Sequence, residues 1–210
     1  DLPPLRAGQI AFVAPSSGEV DLRREIVRQG RNVTQVRSEI WCEGQCTLTA
    51  FWLFGAAREP NAVHPAEKLA DWPGGPDDNE TVLADKGPAF IRNNFELRRA
   101  QDQRGPGEPV VQRWARVTNR QGLDSVSELI LLGDVLPPGA VRAMQRPGPL
   151  SSINWSFNLL DPEPDTQDGW WLSRNASQHA DGGYSSERLR LWNTDGQQVL
   201  DGMQCAAIFG

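Results

Sequence analysis

Apolar and polar residues alternate along several stretches of the chain, as they do in β-strands that are buried on one face. The clearest stretch is residues 187–191, Glu-Arg-Leu-Arg-Leu, and the Asp-Gly pair at 195–196 is typical of a tight hairpin turn. Turn residues separate similar runs elsewhere, so the pattern predicts a mainly antiparallel sheet. The predicted strands are residues 6–14, 18–29, 32–42, 46–57, 90–99, 109–118, 149–160, 169–180, 184–194 and 198–208.

One segment shows the pattern of a buried helix instead. Residues 125–128, Ser-Val-Ser-Glu, fit a capping box in which Ser125 caps the first turn and Glu128 reaches back to its amide. Apolar side chains then occupy most of the helix circumference, and Pro137-Pro138-Gly139 ends the helix. A long antiparallel sheet curled around this helix would bury it, so the predicted fold class is α+β.

The chain contains an internal repeat with an offset of about 151 residues. Residues 36–45 and residues 187–197 both alternate, reach a Trp and turn through an acidic residue followed by Gly-Gln. The apolar runs that follow both end in Phe-Gly, at residues 54–55 and 209–210. Four features in the same order indicate a duplicated unit.

Proline and glycine concentrate between the two copies. Residues 58–88 contain five prolines and the run Pro-Gly-Gly-Pro at 73–76, which favours an exposed linker. The sequence therefore predicts a first unit over residues 1–58, a linker over 59–88 and a second unit over 89–210.

Composition excludes several classes of function. A formal net charge of −6 gives no basic face for nucleic acid, and no run approaches the ~18 apolar residues that a membrane span needs. The N-terminal residues do not resemble a signal peptide, so a cytoplasmic location is expected. Three cysteines and two histidines without a paired Cys-x-x-Cys motif indicate no metal site, and no cofactor is expected.

Arginine supplies nearly all of the positive charge, because Lys68 and Lys86 are the only lysines among 21 basic residues. GC-rich codon usage would produce this bias. A phosphate-bearing ligand would also favour it, since the guanidinium fork binds phosphate at two points. The sequence leaves both explanations open.

Five segments carry a family resemblance through their order along the chain: residues 25–33, 131–139, 150–157, 169–172 and 196–204. Together they resemble the acyl-coenzyme A thioesterases of the thioesterase II type, which contain two fused hotdog domains. The resemblance spans most of the chain. It implies a double hotdog, with two antiparallel sheets each curled around a central helix, and an acyl-CoA substrate.

In that family a carboxylate, a hydroxyl and a glutamine position the water that attacks the thioester, with no covalent intermediate and no metal. The resemblance places the glutamine at Gln204, the hydroxyl near Ser177 or Gln178, and the carboxylate at Asn154. Asparagine can hold a water but cannot accept its proton near neutral pH. This departure bears directly on the expected activity.

Three explanations of the asparagine remain open. In the first, another carboxylic acid acts in place of Asn154, and Asp134 and Asp181 are the nearest in sequence. In the second, the chain hydrolyses thioesters poorly, and in the third it only binds acyl groups. The resemblance also implies that the first unit lacks its opening strands and its own helix, through trimming or disorder. Without a helix packed against it, the sheet of the first unit would expose a large apolar face.

Three functions are therefore weighed. The first is an acyl-CoA thioesterase, and the alternative is an inactive double hotdog that binds acyl ligands or proteins. The third is a thioester hydratase or dehydratase, which needs a placed His or Asp, and neither His64 nor His179 lies where one is expected. A homodimer or higher oligomer is predicted, because unpaired sheet edges favour association.

Overall fold

The computed structural model describes residues 2–82, 88–101 and 106–209. Two α-helices are present among them, α1 (Ala89–Asn94) and α2 (Ser125–Gly133). The ten strands are β1 (Leu5–Phe12), β2 (Asp21–Gln29), β3 (Val33–Cys42), β4 (Gln45–Gly55), β5 (Phe95–Arg99), β6 (Val110–Val117), β7 (Leu150–Leu159), β8 (Trp171–Asp181), β9 (Tyr184–Trp192) and β10 (Gln198–Ile208).

All ten strands belong to one antiparallel sheet, in the order β2-β3-β4-β1-β7-β10-β9-β8-β6-β5. The order β2-β3-β4-β1 from one end is matched by β8-β9-β10-β7 approaching from the other. The hairpins β3–β4 and β9–β10, which carry the two copies of the predicted repeat, therefore lie in equivalent places of the strand order. The two separate sheets expected from the sequence are joined, because β1 pairs with β7 from Ala7–Asn158 to Ala11–Asn154.

The predicted strands are found with small shifts at their ends, but the prediction of a strand at residues 90–94 is wrong. They belong to α1, which begins after Pro88. Proline fixes its own φ and fits well at a helix start, and only residues 95–99 then continue as the edge strand β5. The edge of β5 is partly covered, since Val82 N–H donates to the Leu97 carbonyl oxygen.

The predicted capping box at the start of α2 is also wrong. Asp124 is the cap, and its Oδ1 accepts the Ser127 N–H at 2.9 Å. Hydrogen bonds from the backbone N–H and the hydroxyl of Ser127 lower the pKa of Asp124. Glu128 is buried instead and accepts two hydrogen bonds from Arg120, at 3.1 and 2.9 Å. The ion pair compensates part of the cost of burying the carboxylate.

Helix α2 packs on one face of the sheet, which we call the inner face. Leu129 and Leu132 are fully buried there, together with Trp155 on β7. The last residue of the helix, Gly133, lies directly against the indole ring: a Cβ built on it would lie 2.5 Å from ring atoms of Trp155. Neither α-helix in the described part of the chain is long and apolar enough to cross a membrane.

The opposite face, which we call the outer face, carries a second apolar cluster. Its members are Ala100, Trp114, Trp170, Leu172 and Trp192. Leu69, from the predicted linker, packs against this cluster, and Trp72 meets Trp114 edge-on with 5.5 Å between ring centroids. The segment is mostly exposed, as expected, yet it is anchored on the second half of the chain.

We predict that Gly133→Ala destabilises the fold by about 1–3 kcal/mol, because the added methyl overpacks the Trp155 ring. Alanine favours a helix more than glycine does, so local propensity predicts the opposite sign. In a Trp155→Leu background the same substitution should cost nothing or stabilise. The measurement is urea unfolding of the four proteins, and an equal cost in both backgrounds would contradict the contact.

Candidate functional site

Gln204 lies on β10 with its side chain on the inner face, and only 3% of the residue is exposed. Its Nε2 donates to Asp134 Oδ1 and to Ser152 Oγ, each at 2.9 Å. Both amide hydrogens are therefore used, whereas Gln204 Oε1 is buried and meets no donor among the described residues. We call Asp134, Ser152 and Gln204 the polar triad.

A β-bulge brings Ser152 into the triad. In the ladder between β7 and β10, Asn154 is opposite Cys205 but Ser152 is opposite Ala206, so Ile153 is an extra residue. Strict alternation from the inward-facing Trp155 would turn Ser152 outward. The extra residue shifts the alternation by one and turns the hydroxyl inward, beside Gln204.

Asp134 immediately follows the last residue of α2, so the helix delivers its carboxyl group to the sheet. Burial raises the pKa of Asp134 from its ordinary 3.8 to about 6, and the hydrogen bond from Gln204 lowers it in part. At pH 7 the carboxylate is mostly ionised, but it takes up a proton more readily than an exposed aspartate. A carboxyl group with this property suits proton transfer near neutral pH.

Two fully buried side chains of the sheet hold the backbone that follows Asp134. Asn175 on β8 donates from Nδ2 to the carbonyl oxygens of residues 136–137, at 3.0 and 3.2 Å. Glu187 on β9 accepts the N–H groups of residues 139–140, at 2.7 and 3.3 Å. Because both ends of this segment are fixed to the sheet, Asp134 is held at a defined place beside Gln204.

A groove of about 1190 Å³ with mainly apolar walls opens beside the triad. Strands β1–β4 supply one wall, and α1 and α2 contribute to the other. Its charged lining residues are Arg23, Arg24, Glu39 and Asp134. The apolar lining includes Ile10, Phe12, Leu48, Trp52, Ile130 and Trp155. One triad residue, Asp134, thus faces a space suited to an apolar chain.

The structure brings one of the sequence-predicted residues, Gln204, into this cluster. Asn154 lies on the other face of β7, is exposed, and accepts the Cys205 N–H at 3.0 Å. Ser177 is separated from Gln204 by a whole strand, since Gln204 is opposite Glu187 and Glu187 is opposite Ser177. Adjacent strands are about 4.8 Å apart, so the two backbones lie about 10 Å from each other.

The other candidates lie at the surface. Gln178 is exposed and donates to the Ala176 carbonyl oxygen at 3.3 Å, and Asp181 is exposed at the end of β8. His64 and His179 are exposed as well. Among residues 2–82, 88–101 and 106–209, no group of His, Cys, Asp or Glu has the arrangement of a metal site.

Sequence reasoning named Asp134 only as a nearby acid and missed Ser152. The position of Asp134 had a signal, since it directly follows the most apolar helix of the chain. Ser152 had none, because the bulge at Ile153 reverses the alternation on which a face assignment depends.

Models of known protein families match most of the chain. The family model described as acyl-CoA thioesterase C-terminal domain matches residues 60–208, and the model of the acyl-CoA thioesterase N-terminal domain matches residues 2–55. A search of curated protein sequences finds no match to the chain.

Solved structures show the same fold. A hot dog fold protein of unknown function from Alicyclobacillus acidocaldarius superposes with a TM-score of 0.88 at 21% identity, covering 100% of this chain and 80% of that one. The acyl-CoA thioesterase II from Mycobacterium marinum superposes with a TM-score of 0.76 at 17% identity, covering 97% and 80%. These likenesses establish a hotdog fold. With family models matching residues 2–55 and 60–208, the chain belongs to the acyl-CoA thioesterase family.

Proposed function

We propose that this protein hydrolyses an acyl-CoA thioester to a carboxylic acid and free coenzyme A, using a water molecule activated at the polar triad. The observation that carries the proposal is the buried Gln204 amide, bonded to a carboxylate and a hydroxyl at the wall of an apolar groove. In this proposal Asp134 supplies the carboxylate that Asn154 cannot.

Asp134 is the general base. Its ionised carboxylate accepts a proton from the water as the water oxygen attacks the thioester carbonyl carbon. The carbon–sulfur bond then breaks, the acyl group leaves as the acid, and the coenzyme A sulfur takes up the proton. The pKa of about 6 leaves this base ionised at pH 7 yet close enough to neutrality to transfer the proton efficiently.

Gln204 and Ser152 orient the reacting oxygens. Both Gln204 Nε2 hydrogens are bonded inside the triad, so the buried Oε1 is left to accept a hydrogen bond from the water. Ser152 Oγ accepts from Gln204, so its own hydrogen is left to donate to a reacting oxygen. Fixed groups of this kind stabilise developing charge without having to reorient during the reaction.

The groove accommodates the acyl chain. Its walls combine the β1–β4 half of the sheet with α2, and Asp134 lies in the wall where a thioester carbonyl would sit. A volume of about 1190 Å³ exceeds that of most small-molecule sites, which favours a long or bulky acyl group over acetyl.

We interpret the sheet as a double hotdog, with β1–β4 as the first unit and β5–β10 with α2 as the second. The mirrored strand order about the β1–β7 pair supports this interpretation. Both α-helices among the described residues follow residue 88 in the chain, so neither belongs to the first unit. The predicted oligomer stays a prediction, and β2, all nine residues of which are exposed, is the open edge that would carry it.

Thiol release from acyl-CoA of graded chain length tests the function, and Asp134→Asn tests the base. We expect turnover by the unmodified chain and a loss of about 10²–10⁴-fold in kcat for the variant, the usual size of general-base effects. Asp181→Asn, which changes an exposed aspartate, is the matched control and should retain activity. Acyl-CoA binding without thiol release by the unmodified chain would favour the binding module instead.

An Asn154→Asp variant separates the two candidate positions of the carboxylate. We expect no gain in kcat, because residue 154 lies on the face of β7 opposite the triad. Increased turnover in this variant, with Asp134→Asn unaffected, would contradict the assignment of Asp134.

The pH dependence of kcat/KM tests the contact between Gln204 and Asp134. The base must be deprotonated, so kcat/KM should fall as the pH drops through about 6. Gln204→Ala removes the hydrogen bond that lowers the pKa of Asp134, so the midpoint should move upward and kcat should fall by about 10²-fold. Gln178→Ala, at an exposed glutamine of β8, should change neither value. An unshifted midpoint in Gln204→Ala would contradict the contact.

A stability measurement gives an independent check on Asp134. Its pKa in the folded protein is about 6, above its ordinary 3.8, so the folded state loses stability as the pH rises through this window. Asp134→Asn should therefore stabilise the protein at pH 7, by on the order of 2–3 kcal/mol, and have little effect below pH 4. Thermal unfolding at the two pH values is the measurement, and equal effects at both would contradict the burial of a charge.

A further inference from the structure

A second cavity, of about 700 Å³, lies between the segment 67–73 and the strands of the second half of the chain. We call it the arginine pocket, after the four arginines in its wall. They are Arg99, Arg142, Arg174 and Arg190. Lys68 adds a fifth cation, against three carboxylates from Glu67, Asp71 and Glu108, so cations predominate.

The pocket lies away from the polar triad. Leu189 and Leu191 belong to the core on the inner face, so Arg190 between them faces outward. Arg190 packs over Trp192 of the outer cluster, 5.6 Å from the ring centroid. The triad faces inward, and the sheet therefore separates the two sites.

Two of the arginines face each other across adjacent strands. Arg174 on β8 is directly opposite Arg190 on β9, and like charges in this position destabilise a sheet. Arg190 pairs with Glu67 at 3.1 Å, but Arg174 makes no hydrogen bond or ion pair with any residue that the structure describes. Burial, and then the charge of Arg190, lower the pKa of Arg174, and the carboxylates of Glu108 and Glu67 offset only part of this effect.

Further donors in the pocket lack a close acceptor. Arg190 Nε is buried without a hydrogen-bond acceptor among the described residues, and Arg99 Nε reaches only Glu80 Oε2, at 3.7 Å. A buried donor without an acceptor costs about 1–3 kcal/mol, so a fold does not normally retain several in one cavity. An anion with several oxygens would satisfy these donors and offset the repulsion between the two guanidinium groups.

We propose that the arginine pocket binds a phosphate-bearing small molecule, with Arg174 and Arg190 as its main phosphate contacts. Guanidinium forks match phosphate oxygens in pairs, and doubly charged oxyanions gain most from two adjacent forks. A cavity of about 700 Å³ is much larger than one phosphate group and has the size of a small-molecule site. The indole of Trp72 lines the same cavity and offers an apolar surface to the organic part.

The phosphate could belong to the coenzyme A portion of the substrate, in which case the site extends the proposed function, or to a separate phosphorylated ligand. Both share the same recognition chemistry. They differ in whether binding of the acyl-CoA substrate depends on Arg174.

Isothermal titration of the full chain with inorganic pyrophosphate tests the pocket without requiring any catalysis. We expect binding that weakens as salt is added, and a rise in Kd of about 10-fold or more in Arg174→Gln, the usual effect of losing a charged hydrogen bond. Arg174→Lys keeps the charge without the fork and should bind with intermediate affinity. Arg28→Gln, at an exposed arginine of β2 far along the sheet, is the matched control and should bind like the unmodified chain.

No binding of pyrophosphate, or equal binding by Arg174→Gln and Arg28→Gln, would overturn the proposal. A thermal unfolding scan of each variant confirms that the comparison is between folded proteins. Because Arg174 makes no hydrogen bond or ion pair with the described residues, its substitution should not unfold the chain. Pyrophosphate binding without thiol release would leave the pocket in place and reject only the proposed hydrolysis.

Steady-state kinetics of thioester hydrolysis then identify which molecule carries the phosphate. A higher KM for acyl-CoA in Arg174→Gln, with an unchanged KM for the acyl-pantetheine thioester, assigns the pocket to the coenzyme A phosphates. Unchanged KM values for both substrates, together with lost pyrophosphate binding, assign it to a separate ligand. Either result supports a phosphate site.

Discussion

The pairing of β1 with β7 is the contact on which the architecture depends. It satisfies the backbone groups of two strands that would otherwise be edges, and it joins β1–β4 and β5–β10 in one sheet of ten strands. It also places the apolar side chains of β1 and β4 across the groove from α2. The groove is therefore lined by elements from both sides of the β1–β7 pair.

The site beside this groove contains a carboxylate whose burial opposes folding, together with the hydrogen bonds that hold it in place. Burying the Asp134 carboxylate opposes folding, and the raised pKa is the direct expression of that cost. Hydrogen bonds from Gln204 and the fixed backbone beyond Asp134 compensate for part of it. Such a local loss of stability is common where a side chain must exchange a proton.

The outer face carries a cluster in which tryptophan and arginine side chains pack together. Trp114, Trp170 and Trp192 form a core there without help from a helix, and the segment carrying Leu69 and Trp72 closes over it. Arginines lie across these rings: Arg98 and Arg116 over Trp170, at 5.1 and 4.6 Å. Arginine suits this position because its planar cation stacks on an indole while its stem covers apolar surface.

The sequence by itself determined most of the strands and the buried helix, and it singled out Gln204 as a candidate, because these depend on local periodicity, turn chemistry and an ordered set of motifs. Only the tertiary structure decided which carboxyl and hydroxyl groups meet Gln204. One extra residue at Ile153 turns Ser152 inward, and the end of a helix far along the chain delivers Asp134. Register and long-range packing leave no trace in local alternation, so the order of motifs, which suggested Asn154 and Ser177, could not show which side chains face Gln204.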